Sequence, residues 1–306
     1  MATSTPIYRD YDQAALDAQF DTARRQPEVA RLREAHTKDH DAANANALDA
    51  PGCRRDIAYG ADPKETLDFF ATEAAGAPLL VFIHGGYWKS RDKMDFARLA
   101  SAWIETGVNF VSLNYPLCPT VRIDDVVAAC RGGIAWLWDN ALEFGFDAAR
   151  IFVAGHSAGA HLAVMTLATD WERLGDYPHA LVKGATAISG LYDLQPLRLS
   201  FHNQDLRLDE AEAERNSPVR QVPARAGPLI LTVGECEGDE FVCQTNELAM
   251  AWRRDGLEVT VTGAPGLYHF NIADKLAEPG SPLNDAVSQQ IAGKTRRQID
   301  GLAPKA

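Results

Sequence analysis

Residues 151–161 read Ile-Phe-Val-Ala-Gly-His-Ser-Ala-Gly-Ala-His. A short apolar run, residues 151–154, meets Gly155-His156-Ser157-Ala158-Gly159, and an apolar stretch of good helix formers continues through residues 160–168. That order predicts a buried strand, a sharp turn and a helix, with Gly-x-Ser-x-Gly at the turn. In such a nucleophile elbow the serine sits in a strained backbone conformation at the top of a sheet. The small residues around it let strand and helix approach closely. Ser157 is therefore the expected nucleophile, and the N–H of Ala158 is expected to point at the space beside its hydroxyl.

Upstream, residues 78–83 (Pro-Leu-Leu-Val-Phe-Ile) suit a strand buried on both faces. They end in His84-Gly85-Gly86-Tyr87-Trp88. A helical stretch over 93–105 leads to a second buried strand at 109–114. Residues 126–142 read as an amphipathic helix interrupted at Gly132-Gly133. Downstream, strands expected at 185–189, 229–233 and 258–262 alternate with helices over 240–254 and 284–291. Alternation of this kind makes an α/β fold, a mostly parallel sheet with helices on both faces. Residues 55–59 and 66–70 flank a Gly-Ala-Asp-Pro turn and read as an antiparallel hairpin. Residues 1–50 are polar and helix-friendly, with Tyr11, Leu16 and Phe20 near helical spacing, as in a helical arm that packs on something else. The polar, proline-punctuated segment 190–227 reads as a cap-like insertion partly covering the sheet edge. One domain spanning 1–306 accounts for the chain.

Composition narrows the function classes. Apolar residues make up 46% of the 306 and charged residues 24%, as in an ordinary globular chain. A net charge of −12 with no basic stripe argues against nucleic acid or an anionic membrane as partner. The first residues lack the apolar core of a signal peptide, and no run approaches the ~20 apolar residues of a membrane helix. Five cysteines (Cys53, Cys118, Cys130, Cys236, Cys243) without paired spacing read as reduced thiols of a cytoplasmic protein, not as a zinc site. The expected partners are a small-molecule substrate and at most a second copy of the chain, as a homodimer. No cofactor is expected.

A serine hydroxyl needs a base in hydrogen-bond reach, an acid to orient that base, and donors for the developing oxyanion. On this architecture the acid and then the histidine follow the serine, each on a loop after a later strand. The strand at 229–233 ends in Gly234-Glu235-Cys236-Glu237-Gly238-Asp239-Glu240. Glu237, three residues past the terminal glycine, is the favoured acid; Asp239 is the rival, and Glu235 and Glu240 are expected to be solvated. His269 is the only histidine after that loop and is the expected base. Gly85 and Gly86 can turn their N–H groups toward the site and join Ala158 as oxyanion donors. His84 reads as a brace for this loop. His156 and His161 read as pocket or packing residues rather than metal ligands, and no metal site is expected.

Four segments, His84-Gly-Gly-Tyr-Trp88, Gly155-His-Ser-Ala-Gly-Ala-His161, Ile188-Ser-Gly-Leu-Tyr-Asp-Leu194 and Tyr268-His-Phe270, together resemble the kynurenine formamidase (arylformamidase) branch of the α/β-hydrolase fold. The resemblance implies a metal-free serine hydrolase releasing formate from N-formyl-L-kynurenine in tryptophan degradation. It implies Ser157 as nucleophile, His269 as base, and Gly85 with Gly86 as oxyanion donors. Animal and fungal members carry aspartate as the acid where this chain has Glu237. Tyr87, Trp88 and His156 are the expected substrate-binding residues, with Tyr87 and Trp88 offering aromatic surface to an aryl ring; Trp88 packing beneath the N-terminal arm is the competing reading. A carboxylesterase, or an amidase or carbamate hydrolase acting on other small aryl substrates, is the alternative. A catalytically silent ligand-binding fold is the third reading.

Overall fold

The apolar runs around residues 80, 111 and 153 form the centre of one eight-stranded sheet. The computed structural model describes residues 5–22 and 27–294, with only the backbone for 27–36. In chain order the strands are β1 (Cys53–Ala58), β2 (Thr66–Phe70), β3 (Ala77–Ile83), β4 (Asn109–Leu113), β5 (Phe146–His156), β6 (Val182–Ile188), β7 (Leu229–Gly234) and β8 (Val259–Ala264). They lie in the order β1-β2-β4-β3-β5-β6-β7-β8. The β1–β2 hairpin is antiparallel, and β2 is antiparallel to β4. From β4 to β8 every pairing is parallel.

Why the central strands are continuous apolar runs follows from the two cores they separate. Successive side chains point to opposite faces of a strand. Leu79, Val81 and Ile83 of β3 join one core, together with Val153 of β5 and the helices Ile123–Asp139, Ala158–Leu167 and Asp239–Arg254. Leu80 and Phe82 enter the other, with Phe152 and the helices Ala100–Ile104 and Pro282–Ile291. Helix Ile123–Asp139 runs through Gly132-Gly133 without a break. A Cβ on Gly133 would lie 2.8 Å from Leu113 Cδ1, so the missing side chain is what lets this helix sit close on β4.

The N-terminal arm is two helices that serve opposite faces. Gln13–Phe20 places Leu16 and Phe20 in the first core, whereas Pro27–Leu48 ends with Ala47 and Leu48 in the second. Segment 190–227 folds into the short helices Gln195–Leu199, Asn203–Leu206 and Glu210–Arg215. It lies over the carboxyl ends of the central strands rather than at a sheet edge. His202 stacks on Tyr87 beyond β3, and the carbonyl of Asn216 is 2.7 Å from His161 Nε2 in the helix after β5. Among the described residues no helix is long and apolar enough to cross a membrane.

Candidate active site

The turn after β5 forces three backbones together. Ser157 has φ +58° and ψ −121°, a conformation that non-glycine residues rarely adopt. A Cβ on Gly155 would lie 2.1 Å from the carbonyl oxygen of Gly159, and one on Gly159 would lie 2.0 Å from that of Ile83. Neither position admits a side chain. The Ser157 N–H donates to the Ile188 carbonyl at 2.8 Å, which ties the elbow to β6. Ser157 thus sits at the mouth of the sheet with the helix Ala158–Leu167 starting directly behind it.

The loops after β7 and β8 meet at this serine. His269 Nε2 is 3.0 Å from Ser157 Oγ, and His269 Nδ1 is 2.6 Å from Glu237 Oε2. Nδ1–H donates to the carboxylate, which leaves Nε2 as the acceptor facing the serine hydroxyl. The other carboxylate oxygen, Oε1, accepts the Gly234 N–H at 2.8 Å and the hydroxyl of Ser189. All three side chains are buried. Rings of Phe241, Phe270 and His156 pack around the His269 imidazole, with centroids 4.9, 5.6 and 4.7 Å away. Asp239 is exposed, at the first position of its helix. Glu235 is exposed as expected and accepts from the Gly266 N–H. Glu240 departs from expectation. It is buried, 3.1 Å from the Arg9 guanidinium of the arm, and burial raises its carboxyl above the usual range.

On the opposite side of the serine, the β3 loop is shaped by its backbone. Gly86, Tyr87 and Trp88 have φ of +105°, +51° and +55°, a short left-handed turn whose Gly86 carbonyl accepts from the N–H groups of Lys89 and Ser90. Two consecutive non-glycine residues in this region each cost about 1–2 kcal/mol, so their surroundings must hold them there. A Cβ on Gly85 would lie 2.7 Å from the His156 carbonyl oxygen and 3.0 Å from Ser157 Cβ. Gly85 is therefore pressed directly against the elbow. Ala158 opens its helix, where the first N–H groups have no intrahelical acceptor. Gly85 is thus packed against Ser157, and Ala158 follows it in the chain; a Cβ on Gly86 would instead meet the Ser90 carbonyl at 2.2 Å.

His84 braces this loop. Its ring stacks on Tyr115 at 4.3 Å, Nε2 is 2.9 Å from Asn114 Oδ1, and the Tyr115 hydroxyl donates to the His84 carbonyl. Trp88 corrects the expectation of substrate contact. It is fully buried, its indole N–H donates to His161 Nδ1 at 3.3 Å, and it has no surface left for a ligand. His161 in turn donates from Nε2 to Asn216, and burial pushes its pKa down to about 4, so it is a neutral strut. Tyr87 is 9% exposed; its ring stacks on His202 at 3.8 Å, and its hydroxyl donates to the Phe20 carbonyl at 2.7 Å. His202 Nε2 lies 3.3 Å from the same carbonyl. Arm, cap and β3 loop thus share one oxygen, so the arm does pack at the site. His156 is buried, and burial holds its imidazole well below its ordinary pKa and hence neutral.

Sequence reasoning passed over Ser189, Phe20, His202 and Phe241. Two of them had a signal: Phe20 its helical spacing with Leu16, and Ser189 its place in the segment 188–194 that carries the resemblance. Away from the site, Asp170, Glu172 and His179 bring ligand-type atoms within 4.8 Å of one another, but Asp170 and Glu172 already face Arg173 and Arg225. All five cysteines are free thiols.

Comparison with known proteins agrees with this architecture. Residues 67–251 match the BD-FAE family. A kynurenine formamidase of Salmo salar is 31% identical over 230 residues, covering 72% of this chain and 76% of that protein. One of Danio rerio is 28% identical, covering 93% and 98%. Among solved structures, a candidate thioesterase of Silicibacter sp. TM1040 superposes with a TM-score of 0.77 at 29% identity, covering 89% of this chain and 98% of that one. The strained serine elbow, the glycine loop beside it and these relatives converge: the chain belongs to the BD-FAE family of α/β-hydrolases, on its kynurenine formamidase-like branch, and is a hydrolase.

Proposed function

We propose that the chain removes a small acyl group, formyl, from an aryl amide, with N-formyl-L-kynurenine as the substrate, in the cytoplasm. The observation that carries this reading is the unbroken line Glu237–His269–Ser157, at 2.6 and 3.0 Å, beside a glycine that tolerates no Cβ. The formamidases of fish supply the substrate class. Five free thiols fit a reducing compartment.

In this mechanism His269 Nε2 takes the Ser157 proton as Oγ attacks the formyl carbon. The carbonyl π pair moves to oxygen, and the oxyanion rests on the N–H groups of Gly85, Gly86 and Ala158. Collapse breaks the carbon–nitrogen bond, and the proton held on His269 passes to the leaving aniline nitrogen. Water, deprotonated by the same histidine, attacks the formyl ester and releases formate with Ser157 restored. Glu237 holds the imidazole in the productive tautomer and stabilises its cation. Trp88, with no exposed surface and its indole N–H taken by His161, drops out of this reading, and Tyr87 and His156 remain as its substrate-binding residues.

The same machinery would cleave an ester, and the likeness to a candidate thioesterase favours that as the second reading. The deciding measurement is kcat/KM for N-formyl-L-kynurenine beside p-nitrophenyl acetate, with Ser157→Ala as blank. A strong preference for the formamide supports the proposal, and ester turnover with negligible formamide turnover rejects it. The Ser157→Ala enzyme should lose roughly 10⁶-fold in kcat, as when a nucleophile is removed from a comparable triad.

A further inference from the structure

The segment Ile188-Ser-Gly-Leu-Tyr-Asp-Leu194 carries part of the family resemblance yet has no place in the mechanism above. Ser189 follows the last residue of β6 and is fully buried. Its φ is +52°, and its N–H donates to the Thr232 carbonyl of β7 at 2.8 Å. That strained placement points its hydroxyl at Glu237 Oε1, to which it donates a hydrogen bond. Oε1 has a second donor, the Gly234 N–H at 2.8 Å, while Oε2 faces His269. The segment is itself anchored, because Gln244 Oε1 accepts the N–H groups of Tyr192 and Asp193 at 2.8 and 3.0 Å.

We propose that Ser189 is the positioning residue that adapts this site to a glutamate as its acid. Glutamate has one more methylene, and so one more torsion, than aspartate. Held only through Oε2, its carboxylate could rotate away from the imidazole. Two donors converging on Oε1 from different strand ends fix the carboxylate plane and aim Oε2 at Nδ1. Ser189 touches no reacting atom and acts through Glu237 alone. This inference rests on the reading of Glu237 as the acid.

The test is a double-mutant cycle with p-nitrophenyl acetate. Hydrogen bonds to charged groups are worth enough that Ser189→Ala should lower kcat about ten- to a hundredfold, with KM nearly unchanged. Ser189→Gly should do the same while keeping the wild-type melting temperature, because glycine accepts φ +52° without strain; it keeps the test informative should the alanine variant fold poorly. In a Glu237→Gln background either change should add almost nothing. Wild-type kcat in a folded Ser189→Gly enzyme would overturn the proposal, as would losses that multiply independently with that of Glu237→Gln. Full activity of Glu237→Gln itself would instead remove the acid assignment beneath it, a failure distinct from that of Ser189.

Discussion

The two sides of Ser157 are built by different means. The β3 side is made of backbone: glycines with no room for a Cβ, a left-handed turn through Tyr87 and Trp88, and packing that keeps it there. The side facing His269 is made of side chains: Glu237 held by two donors and His269 held by Glu237 and three rings. A backbone-built wall is rigid but intolerant of any added atom. A side-chain-built one accepts isosteric changes structurally while losing its chemistry. The contrast predicts that damage on the first side appears in both stability and rate, and damage on the second in rate alone.

The sharpest break should come from Glu237→Gln. Nearly isosteric, it should leave the melting temperature unchanged yet cut kcat by roughly 10⁴-fold, the loss seen when a triad acid is neutralised. Asp239→Asn should be near wild type, and the reverse ranking would transfer the acid to Asp239. Gly85→Ala comes next. Its Cβ would have to displace the elbow, so kcat should fall about 10²–10³-fold, as when an oxyanion donor is lost, together with a lower melting temperature. A folded, fully active Gly85→Ala enzyme would refute the backbone-built description.

Acid titration separates the two sides in another way. His161 and His202, which brace the β3 loop and cap, are held down to about 4 by burial, against about 6.5 in an unfolded chain. Between those values the unfolded chain binds protons that the folded chain does not, so stability falls as pH drops through this window. For His161 the loss should approach roughly 3 kcal/mol at pH 4. Replacing it by Gln should lower the melting temperature at pH 7 but flatten its decline toward pH 4. Parallel curves for variant and wild type would contradict the neutral-strut role. The smallest effect belongs to Tyr87→Phe, which removes one hydrogen bond to the arm and should cost about 1 kcal/mol of stability, read as a small shift in denaturant midpoint. No shift would mean that stacking on His202 alone holds the ring.

What could be read in advance follows the same division. Strands with no polar interruption, and an elbow that admits only small residues, leave local signatures, so the sheet and the Ser157 turn were legible. The loop that brings Glu237 to His269 was legible by its place after β7. Glu240 was misjudged because its partner, Arg9, lies at the other end of the chain. Trp88 looked available because its indole acceptor, His161, is 73 residues away. Ser189 lay inside a segment that carried the resemblance, yet nothing local marked its role, since a serine after a strand is commonplace until the carboxylate beside it is known.

The shared carbonyl of Phe20 also bears on how the molecule is made. Its donors, Tyr87 and His202, are 67 and 182 residues downstream, and Gln19 accepts the N–H of Glu240 from 221 residues away. A ribosome releases the arm long before the surface that receives it exists. Leu16 and Phe20 must therefore wait in the nascent chain until most of the sheet has been synthesised, the kind of exposed apolar segment that invites premature association. A segment made before any of the strands is thus among the last that can dock, and its docking completes the packing around the β3 loop.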